Sequence, residues 1–147
     1  MEEFVENVTM KGIFELNVFK DGKLIEKIRE ENLIVNGARL QLAHLVGGDG
    51  TGRTVTKIAF GTNGTDADPA DAVIANQWSK AVGGHSYPDT NKVQFDWELY
   101  VTENNGMAIM EFGLLTADGT LFARKTRTNP IHKASDISME GHWTIVF

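Results

Sequence analysis

The sequence predicts a mainly β protein, either an antiparallel β-sandwich or a flattened barrel, with one short α-helix. Two Asp-Gly dipeptides, Asp21-Gly22 and Asp118-Gly119, each separate two runs rich in β-branched and aromatic residues, and Asp-Gly favours tight hairpin turns. Apolar and polar residues also alternate cleanly over residues 93–101, the pattern of a strand with one buried face. Because no strand-helix-strand rhythm recurs, about seven antiparallel strands are expected.

Length and composition favour one folded domain over residues 1–147. A chain of 147 residues can bury a core without disulfides or a structural metal. The 41% of hydrophobic residues and 23% of charged residues are ordinary for a globular protein, so no disordered or fibrous segment should dominate. Residues 1–11, which are acidic at their start, are expected to form a flexible arm.

The first half predicts a hairpin, a helix and a strand. The hairpin spans residues 12–30 and turns at Asp21-Gly22. A short helix should follow, capped by Asn36 and ended by Gly47-Gly48. Its apolar face is predicted to carry Ala38, Leu42, Leu45 and Val46. A strand is then predicted over residues 54–60.

The second half predicts a meander and a final strand. One helical turn is expected over residues 68–75, and residues 81–91 have the Gly, Pro, Asp and Asn content of a long loop. Strands over residues 92–101, 107–116 and 120–127 should form a three-stranded antiparallel meander. After a loop around Asn129-Pro130, a strand over residues 139–147 should be tied into a sheet.

Charge and hydropathy exclude some partners. The net charge of -6 argues against a surface that neutralises nucleic-acid phosphates. No stretch approaches a membrane span, and the first residues resemble no secretory signal. We therefore expect synthesis and folding in the cytoplasm.

The sequence indicates no catalytic residues, no metal site and no cofactor. The absence of cysteine removes thiolate chemistry, and the four histidines show no ligand spacing. The carboxylates of residues 66, 68 and 71 are ligands of the type that calcium prefers, but short acidic side chains in such loops more often form Asx turns or helix caps. Asp96, Glu98 and Glu111 lie on predicted neighbouring strands, where two of them could face one another as a catalytic pair of a glycoside hydrolase. Solvated carboxylates on an exposed strand face are the commoner explanation.

Two groups of side chains are candidate interaction residues. Aromatic side chains combine a large contact area with a polar group, and Trp78, Tyr87 and Tyr100 are the aromatic candidates. A basic cluster on the last hairpin could meet the acidic arm of a neighbouring subunit, although a solvated face is the alternative. This cluster comprises Arg124, Lys125, Arg127 and Lys133.

Several blocks of sequence resemble small tail-fibre and tail-collar-like structural proteins of tailed bacteriophages. In the first half these blocks are NLIVNG at residues 32–37 and IAFGT at residues 58–62. In the second half they are EFGLL at 111–115, DGTLFAR at 118–124 and PIHK at 130–133. Together they span roughly residues 12–147.

The resemblance implies a virion protein that is assembled in the host cytoplasm. Its partners would be other tail proteins and further copies of itself, in a trimer or ring, with a host surface glycan as a further candidate. Because nothing follows Phe147, a baseplate, collar, tail-tip or fibre-adaptor component is expected rather than a complete fibre. The alternative function is a carbohydrate- or receptor-binding module using Trp78, Tyr87, Tyr100 and the loop over residues 66–71.

Overall fold

The computed structural model describes residues 10–147, and within them it confirms the mainly β fold with one short helix, although nine strands are present where about seven were expected. Of the flexible arm expected over residues 1–11, residues 1–9 lie outside the described residues. Met10 instead packs against the core, and Lys11 begins the first strand. The elements are β1 (Lys11–Lys20), β2 (Lys23–Ile34), α1 (Asn36–Val46), β3 (Val55–Gly61), β4 (Trp78–Ala81), β5 (Gly84–Asp89), β6 (Lys92–Leu99), β7 (Ala108–Thr116), β8 (Leu121–His132) and β9 (Ile137–Val146).

The strands form one curled antiparallel sheet in the order β4-β3-β7-β8-β2-β1-β9-β6-β5. Between β2 and β8 only Leu33 with Arg124 and Ile34 with Ala123 are paired, so the sheet bends there into two facing halves. Their inner faces supply one aromatic core. In it the Phe14 and Phe112 ring centroids lie 4.8 Å apart, and Phe60 packs edge-on against Trp97 at 5.6 Å.

Both Asp-Gly hairpins are confirmed, with different turns. Asp21 and Gly22 have φ angles of 49° and 76°, which is the two-residue type I′ geometry. At the second hairpin only Gly119 has positive φ, at 90°. Thr116 N–H donates to Thr120 O and Gly119 N–H donates to Thr116 O, which gives a three-residue turn with a glycine bulge.

The helix is confirmed, but two details of its prediction are wrong. Val35 is the N-cap residue and no side chain caps the helix; Asn36 is already helical, and its N–H donates to Pro69 O at 2.8 Å. Gly47 and Gly48 end the helix as expected. Val46 is 89% exposed, so it does not belong to the buried face of the helix.

The final strand is tied into the sheet as predicted, and it is a central strand. β9 pairs with β1 on one side and with β6 on the other. Its apolar phase is buried, and Trp143 Nε1 donates to Asn32 Oδ1 at 2.9 Å. This strand therefore joins hairpin β1–β2 to the β5–β6 pair.

Three predictions for the second half are wrong. No meander forms, because β6 pairs with β5 and β9 whereas β7 pairs with β3 and β8. Residues 68–75 contain no helical turn, and the loop expected over residues 81–91 contains the end of β4 and all of β5. Strand β5 includes Pro88, which fits an edge strand because proline has no N–H to donate to a second neighbour.

The segment Val82-Gly83, between β4 and β5, links the two edges of the curled sheet. Val82 N–H donates to Thr56 O at 3.0 Å, and the next residue, Gly83, donates to Asp96 O at 2.7 Å. The chain thus passes from the β3–β4 edge to the β5–β6 edge at Val82-Gly83. Beyond Thr56 no pairing between the two edges is found in the described residues, and a cleft lined by residues of both lies between them.

Candidate functional site

A buried ion pair, Glu111 with Arg124, attaches the long loop over residues 62–77 to the sheet. Glu111 is 0% exposed and Arg124 is 2% exposed, with Arg124 Nε 3.3 Å from Glu111 Oε1. The remaining guanidinium nitrogens donate to Asp71 Oδ2 at 2.8 Å, Thr65 O at 3.0 Å and Asn63 O at 2.8 Å. Both charges are therefore paired by atoms of this protein.

Lys133 holds a second loop in a similar way. This side chain is 2% exposed, and its Nζ donates to Asn105 Oδ1 at 2.8 Å and to Ala134 O at 3.2 Å. Burial lowers the pKa of Lys133, and the negative charges of Glu103 and Asp136 oppose that shift. The ammonium group therefore holds the loop that connects β6 to β7.

The predicted basic surface is therefore wrong for Arg124 and Lys133, which both lie inside the protein. Lys125 and Arg127 are half-buried along the gap where β8 leaves β2. Lys125 Nζ lies 2.5 Å from a Glu30 carboxylate oxygen, and Arg127 Nη2 lies 3.0 Å from Glu26. A cleft of about 570 Å³ follows this gap.

Gln41, Asp118 and Arg53 join the helix to the second hairpin. Gln41 is fully buried, and its Nε2 donates to Asp118 Oδ1 at 2.8 Å and to Thr116 Oγ1 at 2.9 Å. Arg53 Nη1 donates to Gln41 Oε1 at 2.6 Å. Hydrogen bonds from Thr116, Gln41 and the Thr120 N–H hold the pKa of Asp118 well below its usual range.

The acidic loop over residues 66–71 is occupied by internal hydrogen bonds. Asp68 Oδ1 accepts from Ala70 N–H at 2.8 Å, which is an Asx turn, and Asp71 Oδ2 accepts from Asp68 N–H at 2.9 Å. Asp71 also pairs with Arg124. Within residues 10–147, no three carboxylate or imidazole side chains are placed to share a metal ion.

A polar groove of about 490 Å³ crosses the outer face of β1, β9 and β6. Asp96 Oδ1 lies 2.7 Å from His142 Nδ1, and Glu98 stands opposite Glu140. Tyr100 also lines the groove. A hydrogen bond with Glu98, together with the charge of that carboxylate, raises the pKa of the Tyr100 hydroxyl.

The groove does not contain the third carboxylate of the hydrolase hypothesis. Glu111 is buried on β7, in the other half of the sheet, whereas Asp96 and Glu98 lie on β6. The neighbouring-strand placement that a catalytic pair with Glu111 would need is therefore wrong.

An apolar cleft of about 710 Å³ lies on the open side of the half-barrel. Its apolar surface comes from both halves of the sheet and from the helix, and its rim carries aromatic and basic side chains. The apolar lining comprises Leu42, Leu45, Val55, Val82, Val93, Phe95, Phe122, Ile145 and Phe147. The rim comprises Arg53, His85, Tyr87, Asn91 and Lys92 together with the threonines at positions 54, 56 and 90.

The three aromatic candidates occupy three different places. Tyr87 is 73% exposed at the apolar cleft, and Tyr100 is 54% exposed at the polar groove. Trp78 is half-buried, with its ring centroid 6.0 Å from that of Phe60. They do not form one common surface.

Residues at the apolar cleft that the sequence did not single out include Arg53, Lys92 and Phe147. They lie in three segments far apart in the sequence, and each looks locally like an ordinary turn or strand-end residue. The strand order brings these residues together, and no local sequence motif predicts that order.

Comparison of the chain with protein-family models, with characterised proteins and with solved structures finds no match. In residues 10–147 the only helix has 11 residues, and no helix is long and apolar enough to cross a membrane.

Proposed function

We propose that the protein is a structural component of a bacteriophage tail and acts through protein-protein contacts without a chemical step. It would be a baseplate, collar, tail-tip or fibre-adaptor subunit that self-associates as a trimer or ring. It would be assembled in the host cytoplasm and reside in the virion.

The placement of the polar residues in the resembling blocks carries this proposal. Each of the three C-terminal blocks contributes a side chain that holds a distant segment. Glu111 in the first block and Arg124 in the second hold the loop over residues 62–77, Asp118 in the second holds the helix, and Lys133 in the third holds the loop between β6 and β7. Buried, fully paired polar groups favour a defined arrangement of the chain. Loops held in this way are suited to repeated contacts between subunits.

Light scattering on the intact chain tests the proposal. The chain alone, or mixed with tail proteins encoded by neighbouring genes, should give a mass that is a multiple of 16.2 kDa or that of a defined complex. A chain that stays monomeric and binds no tail protein would contradict the proposal. Arg29→Ala, at an exposed pair with Glu15, is a control that should assemble normally.

The polar groove favours carbohydrate binding as the second candidate function. An exposed tyrosine beside carboxylates can stack on a sugar ring and accept hydrogen bonds from its hydroxyls. A glycan array should then show binding that Tyr100→Ala abolishes and Tyr87→Ala preserves, because only Tyr100 lies in the groove. No binding by the intact chain would remove this candidate.

A further inference from the structure

The apolar cleft is bounded on both sides by strand edges that lack a neighbour. β5 is the last strand of the sheet and pairs only with β6. On the opposite side, the β4 pairing of β3 stops at Lys57, and the last contact of that edge is Val82 N–H with Thr56 O. An extended segment between these edges would find backbone donors and acceptors beside it and apolar side chains beneath it.

Charge indicates what kind of segment fits. The described residues that line the cleft include Arg53 and Lys92 but no aspartate or glutamate, although the chain has 20 acidic against 14 basic residues. Arg53 Nε and Thr56 Oγ1 are also buried without a hydrogen-bond partner in the part of the chain that the structure describes. The cleft therefore suits a segment that is both apolar and acidic.

The first nine residues of this chain have that composition. MEEFVENVT carries Glu2, Glu3 and Glu6 together with Phe4, Val5 and Val8. We propose that residues 1–9 of a second copy bind in the apolar cleft as an added strand. This proposal rests on the self-association in the proposed function.

Geometry favours a second copy over the chain's own segment. β1 is separated from a strand added outside β5 by four strand spacings, because β9, β6 and β5 intervene. At about 4.8 Å per spacing the path is about 19 Å, which uses about six residues at about 3.3 Å each. The chain's own segment would have about three residues left for the cleft, whereas a second copy can approach with all nine.

The location of the unpaired basic side chains agrees with this assignment. Lys125 and Arg127 are already paired with Glu30 and Glu26. Arg53 and Lys92 have no carboxylate within ion-pairing distance among the described residues. Among the described residues that line the cleft, Arg53 and Lys92 are therefore the cations that can meet the glutamates of a neighbouring copy.

Disulfide trapping tests the proposal, since the chain has no cysteine of its own. Chains with Val5→Cys and chains with Thr90→Cys, carrying tags of different mass, would be mixed and mildly oxidised. Thr90 lies at the cleft rim. The mixed dimer should exceed that from Val5→Cys with Glu98→Cys, on the polar groove, by at least about tenfold, because binding raises the local thiol concentration.

Two further variants test the role of charge. Lys92→Glu in the Thr90→Cys chain should reduce the mixed dimer to the control level, because it adds repulsion at the cleft. Lys27→Glu, at an exposed lysine of β2 away from the cleft, should leave it unchanged. Circular dichroism of each variant should match that of the unsubstituted chain, so that a lost disulfide reports lost binding.

Three outcomes would overturn the inference. One is a mixed dimer no more abundant than the control. Another is a Val5→Cys/Thr90→Cys chain that forms only an internal disulfide and has the mass of one chain under denaturing, non-reducing conditions. The third is a small amphiphile retained at the cleft in native mass spectrometry without mixed dimer. An oligomer that persists by light scattering in any of these cases would leave the proposed function standing.

Discussion

The side chains of Glu111 and Arg124 have opposite formal charges in the sequence and nearly no exposure in the fold. The local sequence around either residue does not predict this pairing. Arg124 can be buried only because Asp71 and the carbonyl oxygens of residues 63 and 65, all distant in sequence, also accept hydrogen bonds from its guanidinium group. A basic residue in a run of basic residues is usually solvated. Here the loop that covers it supplies the partners that water would otherwise provide.

Arg124→Met should lower the free energy of unfolding by about 3 to 5 kcal/mol, because Glu111 would be left buried and unpaired. Urea denaturation would measure this loss. The double variant Arg124→Met/Glu111→Met should be less unstable than the single variant, since no uncompensated charge remains. A single variant within about 0.5 kcal/mol of the wild type, the range of ordinary surface substitutions, would contradict this account.

Asp118→Asn tests the network beneath the helix by its pH dependence. Hydrogen bonds from Thr116, Gln41 and Thr120 lower the folded-state pKa of Asp118. Their contribution is fully present above the unfolded pKa of about 3.9 and is lost as the pH falls through the folded pKa. The stability difference between wild type and variant should shrink from pH 5 towards pH 2, and a difference independent of pH would contradict this assignment.

At the scale of elements, predictions succeeded where the signal is local. The two hairpins and the helix end depend on a few adjacent residues that adopt positive φ, such as Gly22, Gly48 and Gly119. Strand β5 was missed because its Gly84, Pro88 and Asp89 are turn residues by composition. An edge strand tolerates them, since only one side of it must pair.

Gly141 shows why the central strand β9 needs a residue without a side chain. A Cβ at this position would clash with the Glu15 carbonyl oxygen and the Trp97 ring. Gly141→Ala should therefore lower the free energy of unfolding by about 1 to 3 kcal/mol through overpacking, as measured by urea denaturation.

Gly84→Ala is the matched control, because nothing lies within 4 Å of a Cβ there. It should change stability by no more than about 0.5 kcal/mol. Equal losses in the two variants would contradict the steric account, because a Cβ at Gly84 meets no neighbour and the lower backbone entropy of the unfolded alanine variant would by itself raise stability.

At the scale of the whole molecule, the candidate sites arise from the curl of the sheet. The apolar cleft lies between the two edges that the segment Val82-Gly83 links, and residues of both line it. The cleft of Lys125 and Arg127 exists because β8 leaves β2 after two paired residues. Neither opening corresponds to a motif, and each is lined by segments distant in sequence.

The sequence by itself determined the fold class, the two hairpins, the helix and the terminal strand, because turn chemistry and side-chain alternation act over a few residues. Only the tertiary structure decided the strand order, the burial of Arg124 and Lys133, and the position of the apolar cleft. Strand order is set by the pairing of segments that are distant in sequence. In the pairing of β6 with β9, for example, Asp96 lies opposite His142, 46 residues further along the chain. Whether a charged side chain is solvated or buried depends on which distant loop covers it, and that information is absent from its local sequence.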